Sequence, residues 1–266
     1  MPSYTIKKPI TIDGIGMHSG KKCSLVIEPY KKEGTYFRKK GKPIIKITPQ
    51  KLIGKSRATH LKYQKGTITT IEHTLAVLYL LKIQNVLLTL NGNEFPAMDG
   101  SGKILYHKIK KVIVKRMHAG APPLTIPHQL YVFDNYSFII ANPAKSLSVT
   151  YIYEHSHPKI GIIKETWTSK DSPQKLINAR TFGFLENYEQ LKKQGKARGA
   201  NFKNVLVFTK KGIKGKMRFK NEFVYHKILD FIGDIGILGR ELNADIICYR
   251  SGHVLNNKFL KKLITI

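Results

Sequence analysis

The chain of 266 residues is 42% apolar and 10% aromatic, which excludes disorder and leaves room for one large domain or two ordinary ones around a substantial core. Lys and Arg total 46 against 17 Asp and Glu, a net charge of +29. The lysines are scattered, with no arginine-rich arm, zinc finger or RNP-type motif, so a solvated basic surface is favoured and no nucleic-acid partner is expected; an anionic substrate or membrane surface would also suit the charge.

The chain begins MPSYTIKKPITI, without the apolar core of a signal peptide. Residues 1–30 alternate polar and apolar, predicting two strands around a turn at Asp13–Gly20. Short strands follow at YFRKK, IIKITPQ and ATHLKY, separated by basic turns. Residues 69–83, TTIEHTLAVLYLLKI, read as a helix apolar nearly all round and therefore buried. Thr69 with Glu72 three residues on has the form of a capping box. VLLTLNG is a strand, EFPAMDGSG a loop, and Ile104–Ile109 a helix. AGAPPLTIP, Ala119–Pro127, is the linker candidate, dividing the chain into expected domains 1–121 and 122–266. Beyond it come strands at 129–141 and 147–154, a helix at 172–179 and a lysine- and glycine-dense helix–loop–strand insertion at 185–220. A buried helix over Asn221–Gly239 and the strand ADIICYR complete the pattern. Each half carries strands and a buried helix with a His near its start, a hint of two similar α+β units. No run of about 18 apolar residues exists, and a cytoplasmic protein is expected. The two cysteines, Cys23 and Cys248, lie far apart in no ligand pattern, which fits a reducing compartment.

The chemistry-bearing residues sit on the two buried helices. On the 221–239 helix a narrow polar stripe holds His226, Lys227, Asp230 and Asp234. His226 and Asp230, spaced i, i+4, can share one divalent ion, although a solvated helix face explains the spacing equally well. Glu72 and His73 open the first helix, where the backbone dipole favours an anion and a neutral imidazole; completing a cap and packing are their ordinary alternatives. Together, His73, His226 and Asp230 form a two-His, one-carboxylate set suited to catalytic zinc with water in the fourth position, and iron is conceivable for the same ligands. Glu72 would then take that water's proton. In Ser251-Gly252-His253, a tight backbone could present a protonated His253 oriented by Asp234, or simply form a turn. In Ala179-Arg180-Thr181-Phe182-Gly183, Thr181 offers a hydroxyl to an oxyanion and Phe182 a pocket wall or a core aromatic. His60, His107, His118, His128 and His155 receive no role.

Six motifs in order, Gly14-Ile-Gly-Met-His-Ser-Gly20, Thr70-Ile-Glu-His73, Glu94-Phe-Pro-Ala-Met-Asp-Gly-Ser101, Ala179-Arg-Thr-Phe-Gly183, Glu222-Phe-Val-Tyr-His-Lys-Ile-Leu-Asp230 and Ser251-Gly-His253, resemble the UDP-3-O-acyl-N-acetylglucosamine deacetylases, zinc amidases of lipid A synthesis. The resemblance covers residues 4–262. It implies zinc on His73, His226 and Asp230, Glu72 as general base, and His253 as general acid paired with Asp234. It further implies Thr181 and Lys227 beside the oxyanion, Phe182 on the pocket wall, and Met17 and His18 in a substrate-contacting motif. The 185–220 insertion would form an acyl passage. The implied substrate is a UDP-linked acylated amino sugar, and the implied fold two α+β domains stacked with helices between two outer sheets. A monomer is expected, with contact to an anionic membrane surface possible. Tyr225 stands where the family usually has Arg. Gly199-Ala200-Asn201 replaces a more glycine-rich turn, and Lys192, Lys193, Lys196 and Lys203 crowd the insertion. Two rivals remain open: a basic binding protein on an old enzyme fold, and a zinc deacetylase for another acylated sugar.

Overall fold

The computed structural model describes residues 3–117 and 119–266; His118, given no role above, lies outside them. The first half begins with β1 (Tyr4–Ile6), β2 (Ile10–Ile15), β3 (Lys22–Pro29), β4 (Thr35–Lys39) and β5 (Ile45–Lys46). A small sheet of β6 (Leu52–Lys55), β7 (Ala58–Tyr63) and β8 (Gly66–Thr69) then leads into α1 (Glu72–Leu80), β9 (Val86–Asn91), α2 (Lys103–Lys110) and β10 (Ile113–Lys115). The second half repeats the plan with β11 (Leu124–Thr125), β12 (Leu130–Asp134), β13 (Ser137–Pro143), β14 (Ser148–His155) and β15 (Gly161–Thr168). It continues through α3 (Gln174–Asn178), β16 (Phe182–Phe184), α4 (Tyr188–Lys193), β17 (Leu206–Thr209), β18 (Gly212–Lys214), α5 (Glu222–Ile235), β19 (Leu242–Tyr249) and α6 (His253–Leu263).

The two large sheets share one topology. Their strand orders are β2-β3-β9-β4-β5 and β12-β13-β19-β14-β15, with β11 added beside β19. In each, the last strand is inserted between two hairpins, antiparallel to the first and parallel to the second. In each, a three-stranded sheet and a buried helix precede that strand, and another helix follows it. Alternation drives the strands to one face: Cys23, Leu25 and Ile27 of β3, and Leu242, Ala244, Ile246 and Cys248 of β19, are buried while their neighbours are more open. The chain is thus α+β, two similar units stacked sheet–helix–helix–sheet. One core packs the second sheet against α5 and α6 and takes in Ala76 of α1; the other packs the first sheet against α1 and α2 and takes in Leu260 of α6. No described helix is long and apolar enough to cross a membrane.

The middle of the stack is the crossing of α1 and α5. Every residue from Glu72 to Leu78 is buried, as is every residue of α5 except Lys227. Such helices have no wet face and must be covered on both sides. At the crossing, a Cβ on Gly233 would collide with the Glu72 carbonyl oxygen, and one on Gly236 would lie 3.0 Å from that of Leu75. The backbones therefore touch where only glycine fits.

Some expectations need correction. Thr69 does not cap α1; it is the last residue of β8, Ile71 takes the N-cap position without a side-chain bond, and the Glu72 carboxylate turns instead to the Thr59 N–H at 3.0 Å. Thr70, at φ +62°, turns the chain sharply between strand and helix, so the extended approach of a capping box is lost. The linker is partly structured, since β11 lies within it and pairs with β19. β15 and α6 were not anticipated: β15 is only half exposed but lacks an apolar run, and α6 mixes Asn and Lys evenly with its apolar residues. The helix crossing makes a stability prediction. Gly233→Ala should destabilise by about 1–3 kcal/mol through overpacking against the Glu72 backbone, read as a lowered denaturation midpoint; an unchanged midpoint would contradict the close approach.

Candidate active site

His73, on the first turn of α1, and His226 and Asp230, one turn apart on α5, meet at the crossing. Their candidate ligand atoms all lie within 4.8 Å of one another, and all three residues are buried. Nε2 of His226 is 3.3 Å from Asp230 Oδ1, Nε2 of His73 is 3.6 Å from the same oxygen, and the two rings stand perpendicular, 88° apart. Among the described residues no other group of three or more such side chains converges. The His226 Nδ1–H is assigned as donor to the Ala179 carbonyl at 3.0 Å, which leaves the Nε2 lone pair facing the carboxylate. Burial pushes His226 down to about 4, so it is neutral at neutral pH. Burial also opposes the charge on Asp230, but the Lys227 ammonium, the His73 contact and His253 outweigh it and hold the carboxyl well below its usual range. A lone pair and a carboxylate oxygen at 3.3 Å repel unless a cation lies between them. The donor set therefore fits a divalent ion, zinc by composition and iron(II) by the same ligand types.

Glu72 and His253 flank this set. Glu72 is buried, and that burial raises its carboxyl pKa, overriding the helix N-terminus that would lower it. His253 is the first residue of α6, with Gly252 as N-cap. Its Nδ1 lies 2.9 Å from Asp234 Oδ2, and its Nε2 points back to Asp230 Oδ2 at 3.8 Å. Burial opposes a charge on His253, but Asp234 and Asp230 outweigh it and bring the pKa up to about 9. Two groups the sequence reading passed over complete the assembly. Thr59 donates its hydroxyl to Asp234 Oδ1 and its N–H to Glu72, while Asn256 donates to Asp234 Oδ2 at 2.8 Å.

A cavity of about 390 Å³ opens over these residues. Met17, His18, Glu72, His73, Thr181, Phe182, His226, Asp230 and His253 all border it. Lys227 and Asp234 do not: the Lys227 ammonium holds Asp230 Oδ2 at 3.0 Å, and Asp234 sits behind His253. The outer wall is apolar and comes from the 185–220 insertion, with Leu185, Leu191, Phe202 and Val205. Glu94 holds the Met17–Ser19 loop in place, accepting the N–H groups of His18 and Ser19 at 2.8 Å each and the Thr70 hydroxyl at 3.1 Å. Tyr225 turns away from the cleft to Glu165 and Lys175, at 2.8 and 3.2 Å.

Thr181 and Phe182 are held at the cleft by a buried ion pair. Arg180 donates from Nε and Nη2 to the two Glu222 oxygens, at 2.7 and 3.1 Å, and its N–H adds 3.0 Å to the first. The Arg218 N–H adds a further bond at 2.7 Å, and Glu222 itself opens α5, where the helix dipole favours an anion. Burial alone would raise the Glu222 pKa; these donors reverse the sign and lower it. A folded pKa below the unfolded value of about 4.3 gives stability that is present above that value and lost as pH falls through the folded one. The melting temperature of the wild type should therefore fall more steeply below about pH 4 than that of Glu222→Gln, which should be less stable at neutral pH. Parallel acid profiles would contradict the pairing.

The sequence has counterparts among known proteins. The family described as UDP-3-O-acyl N-acetylglycosamine deacetylase (LpxC) matches residues 3–265. A UDP-3-O-acyl-N-acetylglucosamine deacetylase of Thermodesulfovibrio yellowstonii is 35% identical over 267 residues, covering 98% of this chain and 91% of the relative. The protein of that name from Aquifex aeolicus is 34% identical over 262 residues, 97% of this chain and 92% of its own. That from Campylobacter hominis is 32% identical over 271 residues, 100% and 92%. With the match running nearly end to end, the chain belongs to the UDP-3-O-acyl-N-acetylglucosamine deacetylase family.

Proposed function

We propose that this chain hydrolyses the acetamide of a UDP-3-O-(3-hydroxyacyl)-N-acetylglucosamine in a zinc-dependent reaction, releasing acetate and the free amine that commits the sugar to lipid A synthesis. The observation that carries the reading is the convergence of His73, His226 and Asp230 on one point, with Glu72 and His253 beside it in one cavity. When bound there, the ion supplies a Lewis acid that polarises the amide carbonyl and acidifies water. Glu72, with its pKa raised by burial, accepts the proton from the attacking water. The Thr181 hydroxyl donates to the developing oxyanion from the cavity wall, and Lys227 adds positive charge beside it through its contact with Asp230. His253, protonated at neutral pH, delivers its Nε2 proton to the departing nitrogen while Asp234 steadies the imidazolium. Phe182, Met17 and His18 border the sugar end of the cavity, and the apolar wall of the insertion suits an acyl chain. On this reading residues 1–121 form a domain carrying Glu72 and His73, and 122–266 one carrying His226, Asp230 and His253.

Two measurements check the proposal. Glu72→Gln should keep the metal and the fold but lower acetate release from the UDP-linked acylated sugar by about 10²–10⁴-fold; turnover near wild type would remove Glu72 from proton transfer. A chelator should abolish release and added zinc restore it, and His226→Ala should fail to retain zinc on gel filtration. Full activity after verified metal removal would exclude the metal from the reaction.

A further inference from the structure

Thr59 lies in β7, 1% exposed, on a stretch the sequence marks only as a short strand between basic turns. Both of its donors face the site. Its backbone N–H holds Glu72 Oε2 at 3.0 Å, so one oxygen of that carboxylate is tied to β7 and the other is left for the cleft. Its hydroxyl donates to Asp234 Oδ1, and the same Oγ1 lies 3.2 Å from His253 Nδ1. Since the hydroxyl proton goes to the carboxylate, the oxygen's free lone pair meets the Nδ1–H of His253. That N–H is thereby held between Asp234 Oδ2 and Thr59 Oγ1, with Nε2 turned toward Asp230 and the cavity. The register of β7 is pinned from both sides, by pairing with β6 and with β8, where His60 faces Thr69. β6 is itself pressed on α6, because a Cβ on Gly54 would collide with the His253 carbonyl oxygen.

We propose that Thr59 is a positioning residue that aims both proton-transfer groups from one strand, fixing Glu72 through its N–H and the His253–Asp234 pair through its hydroxyl; this rests on the deacetylase reading above. Thr59 itself touches neither the cavity nor the metal ligands. Its hydroxyl acts by keeping the imidazole at the angle from which Nε2 reaches the leaving nitrogen, and small misplacements of such groups are worth up to about 10²-fold in rate.

The test compares Thr59→Val, Thr59→Ser and Asp234→Asn, together with the double variant that combines Thr59→Val and Asp234→Asn. Acetate release from the zinc-loaded enzyme is read for each, with melting temperature and bound zinc measured alongside. Thr59→Val keeps the backbone N–H and the branched shape and removes only the hydroxyl. It should lower kcat by about 10–100-fold with KM within about twofold and zinc content unchanged. Thr59→Ser should restore most of kcat, and the double variant should be no slower than Asp234→Asn alone, because both changes disable one unit. Wild-type kcat in folded Thr59→Val, equal losses in the Ser and Val variants, or additive losses in the double variant would each overturn the role of Thr59 while leaving the deacetylase reading intact. Absence of acetate release from the zinc-loaded wild type would overturn both. Should Thr59→Val not fold, Thr59→Ala removes the same hydroxyl and carries the same expectation and the same refutation.

Discussion

The structure depends on two helix backbones touching. Gly233 lets the start of α1 lie directly on α5, and that contact is what brings His73 within reach of His226 and Asp230. A methyl group at the crossing would push the helices apart by an amount that matters for a shared ligand and little for the rest of the core. The two similar units contribute unequally across the contact: α1 supplies His73 and Glu72 from its first turn, and α5 supplies the other two candidate ligands, His226 and Asp230, from its middle. Two similar units place two buried helices side by side, and the candidate site occupies the seam between them.

The same burial that stabilises the crossing sets its electrostatics. Glu72, His73, His226, Asp230, Asp234 and His253 are all buried, a grouping that a core would not hold without compensation. Each charge is answered by another group: Asp230 by Lys227 and His253, Asp234 by Thr59, Asn256 and His253. The environments also set Glu72 and His253 apart. Glu72 has its pKa raised chiefly by desolvation, whereas His253, equally buried, is raised by Asp234 despite desolvation. One carboxyl is thus brought closer to neutrality and one imidazole is kept charged within the same small volume, the states that the proposed base and acid require.

How much of this was legible in the sequence depended on how local each signal is. The i, i+4 spacing of His226 and Asp230, the nearly all-round apolarity of α1 and the broad apolar girth of α5 are properties of single helices, and both elements appear where periodicity put them. The pairing of the halves was only hinted at, because the shared topology resides in strand order and not in residue identity. Thr59 was invisible: its neighbours alternate like any strand, and its partners are 13, 175 and 194 residues away. The Arg180–Glu222 pair was missed for the same reason, since Glu222 reads as an ordinary first-turn acid until Arg180 is seen against it. Thr69 and Glu72 show the converse failure, a correct local motif overridden by a tertiary partner for the carboxylate.

The central claim is that one divalent ion is held where α1 and α5 cross. Anomalous diffraction at the zinc edge from crystals of the zinc-loaded protein tests it most directly. The account predicts a single strong peak with Nε2 of His73, Nε2 of His226 and one Asp230 oxygen each about 2.0–2.2 Å away. A peak bound elsewhere, or none at this crossing at full zinc loading, would contradict it.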